Sequence, residues 1–228
     1  MPDVRRMVPG LLGIRPRIFA DRRSAGRMLG EALMHHRGAN PIVLGLPRGG
    51  VPVADEVARA LGGTLDVWVV RKLGVPYQPE LGMGAIAEGP AVVLERSIVE
   101  GAGVSRKELF EIAHREMDEV GRRVERFRSG RALPELRDRV VILVDDGIAT
   151  GGTMRAAIRA IKKRRPERLI VATPVASPDV VQSLAREVDE VVCLYQPRPM
   201  YAIGLWYEDF EQTADEEVVR ILARASYA

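Results

Sequence analysis

Residues 140–154 constrain this chain more than any other stretch. An apolar run, Val140 to Val144, ends in two adjacent carboxylates, Asp145 and Asp146. A turn of small and hydroxyl residues follows at once, and a helical pattern spans 154–163. Physically this is a buried strand, a tight loop and a helix start. Backbone N–H groups in such a loop, together with the positive helix end, form a socket for one phosphate group. Thr150 and Thr153 add hydroxyl donors. Two aspartates repel a phosphate but suit neighbouring hydroxyls of an attached sugar. The stretch therefore reads as a sugar-phosphate socket.

Two other phosphate loops are excluded. A Walker-type loop needs a Lys before its Ser/Thr, and position 152 is Gly. A dinucleotide-binding turn needs G-x-G-x-x-G without two acids in front. The competing structural reading is a plain strand–turn–helix with solvated aspartates.

Apolar strands alternate with helical patterns along the rest of the chain, which predicts an α/β fold with a mainly parallel sheet flanked by helices. Helices are expected at 22–36, 51–61, 178–186 and 215–224, and strands at 41–46, 65–70, 169–175 and 188–194. The stretch 74–134 interrupts the rhythm with a Gly- and Pro-rich loop, a short apolar run at 91–94 and a long charged helix to about residue 127. Ser105 and Glu108 have capping-box spacing at its start. Its mixed charges suit a solvated face, a dimer contact or a lid support. We expect one domain over 1–228, with 74–134 as flap plus helix and 197–228 as a C-terminal hood.

Composition bounds the rest. The 228 residues suffice for one substantial core. Hydrophobic content of 46% beside 29% charged residues is ordinary for a globular domain. A net charge of +3 fits a small anionic ligand and does not argue for nucleic acid. The basic run 162–165 sits at a helix end, where cations complement the dipole. Cys193 is alone, so no internal disulfide forms, which suits a reducing cytoplasm. No apolar stretch reaches membrane-spanning length. Residues 1–15 lack a signal peptide's apolar region and read as an ill-ordered arm. His35, His36 and His114 show no zinc spacing with Cys193.

The segment 140–154 resembles the signature of type I phosphoribosyltransferases, which bind 5-phosphoribosyl-1-pyrophosphate (PRPP). The resemblance implies that Asp145 and Asp146 hold the ribose hydroxyls. It implies that Ile148, Ala149, Thr150, Gly151, Gly152 and Thr153 surround the 5-phosphate. The wording from Ala149 to Met154 is similar to adenine phosphoribosyltransferases. Enzymes for 6-oxopurines usually carry Asp where this chain has Ala149, and a Lys near Ser177. Both departures argue against hypoxanthine or guanine.

Three other segments carry candidates. Strand 41–46 runs into Pro47-Arg48-Gly49-Gly50, where glycines allow close backbone approach and Arg48 offers charge to phosphate. By resemblance this is the pyrophosphate loop, often built around an unusual cis peptide. Arg71 and Lys72 are expected at the end of strand 65–70, where open α/β sheets bind ligands and cations would stabilise departing pyrophosphate. Residues 74–89 would be a mobile flap, with Glu88 a weak acid–base candidate. Segment 201–210 is dense in rings within a chain that is only 5% aromatic. By resemblance it is the hood, with Tyr201 stacking on the base and Glu208 a weak metal candidate. An aromatic mini-core is an equal alternative.

The implied activity is transfer of ribose 5-phosphate from PRPP to a nitrogenous, nucleobase-like acceptor, with Mg2+ as cofactor and pyrophosphate as product. Asp145 and Asp146 would reach the metal through ribose hydroxyls or water. The resemblance also implies a homodimer. The alternative is a non-catalytic PRPP-sensing regulator.

Overall fold

The computed structural model describes residues 19–89 and 91–225. The expected N-terminal arm lies outside them. Five strands form a parallel sheet, β1 (Ile42–Gly45), β2 (Thr64–Val67), β6 (Val140–Val144), β7 (Arg168–Val175) and β8 (Glu190–Tyr195), in the order β2-β1-β6-β7-β8. The register runs Ile42↔Val141 and Val141↔Leu169 across its centre. The expected α/β class with a mainly parallel sheet is what forms.

Both sheet faces are buried, so strands read as unbroken apolar runs. Alternation still sorts the side chains. Val43, Ile142, Val144 and Ile170 face one cluster with α1 (Arg22–Ala32), α2 (Gly50–Leu61) and α7 (Asp215–Ala225). Ile42, Leu44, Val141 and Leu143 face another with α5 (Gly152–Lys162) and Leu184 of α6 (Pro178–Leu184). Burying Met154, Ile158 and Ile161 of α5 contributes about 1.5–3 kcal/mol each.

Helix boundaries follow capping chemistry. Asp21 caps α1 by accepting from the Ser24 amide at 2.6 Å. The expected single helix 22–36 stops at Ala32, and a separate 3-10 turn, Met34–His36, follows. Gly62, at φ 65°, closes α2 in the left-handed region. Ser105 and Glu108 do form the expected box at the start of α4 (Arg106–Arg128).

The stretch after β2 departs from expectation. Residues 70–94 form a three-stranded antiparallel sheet, β3 (Val70–Val75), β4 (Gln78–Ala87) and β5 (Ala91–Leu94), where a loop was expected. Arg71 and Lys72 therefore lie inside β3, paired with Ile86 and Ala85, and not at the end of a parallel strand. Glycines masked this sheet, because they depress strand propensity. At Gly84 a Cβ would sit 2.2 Å from the Val93 carbonyl, so the strand pairing needs glycine there. A short α3 (Arg96–Gly101) leads into α4.

A buried ion cluster ties this sheet to the domain. Arg128, at the end of α4, donates to Asp66 at 3.0 Å, to the Val67 carbonyl at 2.6 Å and to both oxygens of Glu88. Glu88 also accepts from the Val69 amide at 3.0 Å. Burial pushes the Glu88 carboxyl up from its ordinary value, against the pull of Arg128. Glu88 is thus an anchor, and its expected acid–base role is corrected.

Candidate active site

The acid pair sits where β6 ends. The Asp145 carboxylate accepts from the Asp146 amide at 2.9 Å, which fixes the first side chain over the second residue's backbone. Burial pushes the Asp145 carboxyl well above the ordinary value, and repulsion from Asp146 adds to this. Burial also raises Asp146, while the Arg22 guanidinium pulls it back. Desolvation and like-charge repulsion make the ionised pair costly, most of all at Asp145, because Arg22 compensates only Asp146 directly.

The Pro47–Gly50 turn lies against this pair. The Pro47–Arg48 peptide is cis, as the resemblance implied. A Cβ on Gly49 would sit 2.0 Å from Asp146 Oδ2. One on Gly50 would meet the Val144 carbonyl at 2.7 Å and Asp145 Cα at 3.0 Å. At position 50, where the neighbours are backbone, only glycine allows this approach. Two segments far apart in the chain are thereby brought into one site. Arg48 itself leans toward α7, with a guanidinium nitrogen 3.4 Å from Asp215 Oδ1.

The small-residue loop leads into α5 through Gly151, at φ 78°. The first amides of a helix have no intrahelical acceptor. Ala149, Thr150, Gly152 and Thr153 are exposed around that end. Arg155 braces the loop by donating to the Thr150 carbonyl at 2.9 Å and to Ser183 at 3.0 Å. Ile148 differs from its expected place beside the phosphate. Its side chain is buried and its amide donates to the Val175 carbonyl at 2.9 Å, so it locks the loop to β7.

Arg71 turns toward α4, where Nε and a terminal nitrogen meet Glu116 Oε2 at 3.0 and 2.8 Å. Arg71, Lys72, Gly74, Ile112 and Glu116 line a cavity of about 310 Å³ between β3 and α4. The Lys72 side chain lies over Gly82, whose Cβ would meet Cε at 3.0 Å.

The hood splits between the two readings of segment 201–210. Tyr207 is buried and packs on Phe19 and Phe210, at ring distances of 5.3 and 4.8 Å. Its hydroxyl donates to the Asp146 carbonyl at 2.5 Å. Ile203 closes over Gly147, whose Cβ would lie 2.4 Å from Ile203 Cγ2. Tyr201 is 70% exposed and outside this mini-core. The Glu208 amide donates to the Phe19 carbonyl at 2.8 Å, and among the described residues no hydrogen bond or ion pair joins its carboxylate to the acid pair.

Two site neighbours escaped the sequence. Arg22 Nε donates to Asp146 Oδ2 at 2.7 Å, and the Tyr207 hydroxyl donates to the backbone carbonyl of the same residue. Only Tyr207 left a signal, as one of several aromatics in the ring-rich segment. Cys193, by contrast, is inert strand packing, with its thiol pushed up to about 11 by burial. No helix among the described residues is long and apolar enough to cross a membrane.

Comparison with known proteins agrees with this geometry. A family model described as phosphoribosyl transferase domain matches residues 22–193. A Mycobacterium tuberculosis H37Rv protein, provisionally named a phosphoribosyl transferase, is 46% identical over 209 residues, covering 92% of this chain and 47% of that protein. The chain thus spans about half the length of the mycobacterial relatives it matches. A uracil phosphoribosyltransferase of Aeropyrum pernix is 26% identical over 170 residues, covering 68% of this chain and 75% of that protein. The crystal structure of the protein TT1426 from Thermus thermophilus superposes with a TM-score of 0.79 at 45% identity, covering 91% of this chain and 98% of that one. By its matched family model, its mycobacterial relatives and its shared fold, the chain belongs to the phosphoribosyl transferase domain family.

Proposed function

We propose that this chain transfers ribose 5-phosphate from PRPP to a nitrogenous base and releases pyrophosphate. The observation that carries the reading is the packing of Gly49 and Gly50 against Asp146 and Asp145. A backbone loop suited to a diphosphate thereby abuts carboxylates suited to a sugar.

In this reading Asp145 and Asp146 orient the ribose by accepting from its hydroxyls. The 149–153 backbone and the Thr150 and Thr153 hydroxyls grip the 5-phosphate as a fixed anchor. Arg48, Arg71 and Lys72 lower the cost of charge gathering on departing pyrophosphate. The C1–O bond breaks ahead of base attack, and β3 to β5 keep water from the sugar cation. Tyr201, exposed beside the hood core, offers a ring to the base.

The donor set fits magnesium. Adjacent carboxylates are hard oxygen ligands, and among the described residues Asp145 has no cationic side chain hydrogen-bonded to it, whereas Asp146 has Arg22. They would hold the ion through ribose hydroxyls or water. When bound, it neutralises charge on the leaving group.

We read residues 1–228 as one domain acting as a cytoplasmic homodimer, with PRPP and a base as its small-molecule partners.

The test is pyrophosphate release from PRPP and Mg2+ with a panel of bases. Uracil belongs in it because of the Aeropyrum relative's name, and adenine because of the 149–154 wording. Release dependent on one base is expected. Tight PRPP binding with no release from any base would assign the site to sensing instead.

A further inference from the structure

The fold gathers a second polar cluster that the sequence spreads over two distant segments. His35 and His36 end the 3-10 turn after α1, and Glu190 opens β8. His35 Nε2 lies 2.9 Å from Glu190 Oε1, and His36 Nε2 lies 2.9 Å from Oε2. Consecutive helical residues do not ordinarily face one another. Here the tight turn tilts the two rings by 45° with centroids 4.1 Å apart, so both nitrogens converge on one carboxylate.

This site is separate from the acid pair. Glu190 is level with Ile170, and Ile170 with Ile142. At ordinary strand rise and spacing, that puts the Glu190 and Asp145 backbones about 14 Å apart.

We propose that His35, His36 and Glu190 bind a borderline transition-metal cation of the zinc or nickel kind. One ligand atom from each residue lies within 4.8 Å of the other two. Ligands around tetrahedral zinc are about 3.3 Å apart, so modest side-chain shifts complete the set. Two imidazoles and one carboxylate match the softness of such ions better than that of magnesium. A glutamate carboxylate is ionised at neutral pH and can ligate once the imidazoles are neutral. His36 is 5% exposed and forms the floor, while exposed His35 forms the mouth. Arg168, 3.6 Å from Glu190 Oε2, is the cation that an incoming metal would displace. Bound there, the ion would staple the end of α1 to β8.

The experiment is calorimetric titration of the full chain with Zn2+ under saturating Mg2+, which fills hard-oxygen sites. Absorption of Co2+ in the same protein reports its ligand field. One Zn2+ per chain is expected, with His35→Gln and Glu190→Gln each weakening it by at least about tenfold. Cys193→Ser should leave the affinity unchanged. His35 is exposed, so His35→Gln should fold normally, and its PRPP binding should match wild type whatever the base specificity proves to be. Affinity for Zn2+ unchanged in His35→Gln, or no saturable binding to the wild-type chain, would overturn the proposal.

Discussion

Arg22 Nε lies 2.7 Å from Asp146 Oδ2, and the same guanidinium sits 3.9 Å over the ring of Phe210. One cation from the first helix thus holds both the acid pair and the hood. It also opposes the protonation that burial favours at Asp146. Ligand binding needs the pair ionised, so affinity for PRPP and Mg2+ should fall with falling pH, at a midpoint above the ordinary carboxylate range. Arg22→Gln should move that midpoint higher. Binding isotherms across pH would check this, and an unshifted midpoint would separate Arg22 from the acid pair.

The same pair should oppose folding. A carboxyl raised in the folded state contributes stability below its unfolded pKa, and that stability is lost as pH rises through the folded value. At neutral pH Asp145 is therefore a cost. Asp145→Asn keeps an oxygen to accept from the Asp146 amide while removing the like charge. Urea unfolding should show a gain of about 1 kcal/mol, with ligand affinity lost. A loss of stability would mean that the carboxylate is satisfied by the fold itself.

The two loop glycines should fail differently. Gly50→Ala drives a Cβ into the Val144 carbonyl, and backbone cannot step aside, so about 1–3 kcal/mol of stability should go. Gly49→Ala meets the tip of Asp146, which can swing, so stability should change less while PRPP binding suffers more. Paired thermal melts and isotherms would separate the two outcomes, and equal effects on both readouts would count against the packing argument.

Arg128 should be the most sensitive buried charge. Arg128→Met leaves Asp66 and Glu88 buried without their cation and should cost about 3–5 kcal/mol in denaturant unfolding. A near-neutral effect would mean that water reaches the cluster.

Arg71→Ala should lower kcat while ribose 5-phosphate affinity stays near wild type, because the departing pyrophosphate, and not the 5-phosphate, gathers negative charge during the reaction. Steady-state kinetics beside ribose 5-phosphate binding would test this. An unchanged rate would leave Arg71 as the partner of Glu116 in supporting β3.

What the sequence disclosed was local. The 140–154 strand, loop and helix were legible because one continuous segment carries the apolar run, the acids and the glycines. The Ser105–Glu108 box was legible for the same reason. The β3–β5 sheet was hidden because Gly74, Gly82 and Gly84 read as loop, although close strand approach is why Gly84 is there. Arg22 with Asp146, Arg128 with Glu88 and His36 with Glu190 were invisible, since each pair meets only after folding. Glu88 was an acid–base candidate from its position within the 74–89 flap, and its burial with Arg128 argues for an anchor instead.

The most direct measurement is titration of PRPP with Mg2+ into the wild-type chain and into Asp145→Asn/Asp146→Asn, with a thermal melt of each. The account predicts one saturable site in the wild type and at least about a hundredfold weaker binding in the variant, the scale of two lost charged hydrogen bonds, with no loss of thermal stability. Equal affinity in the two proteins would contradict it.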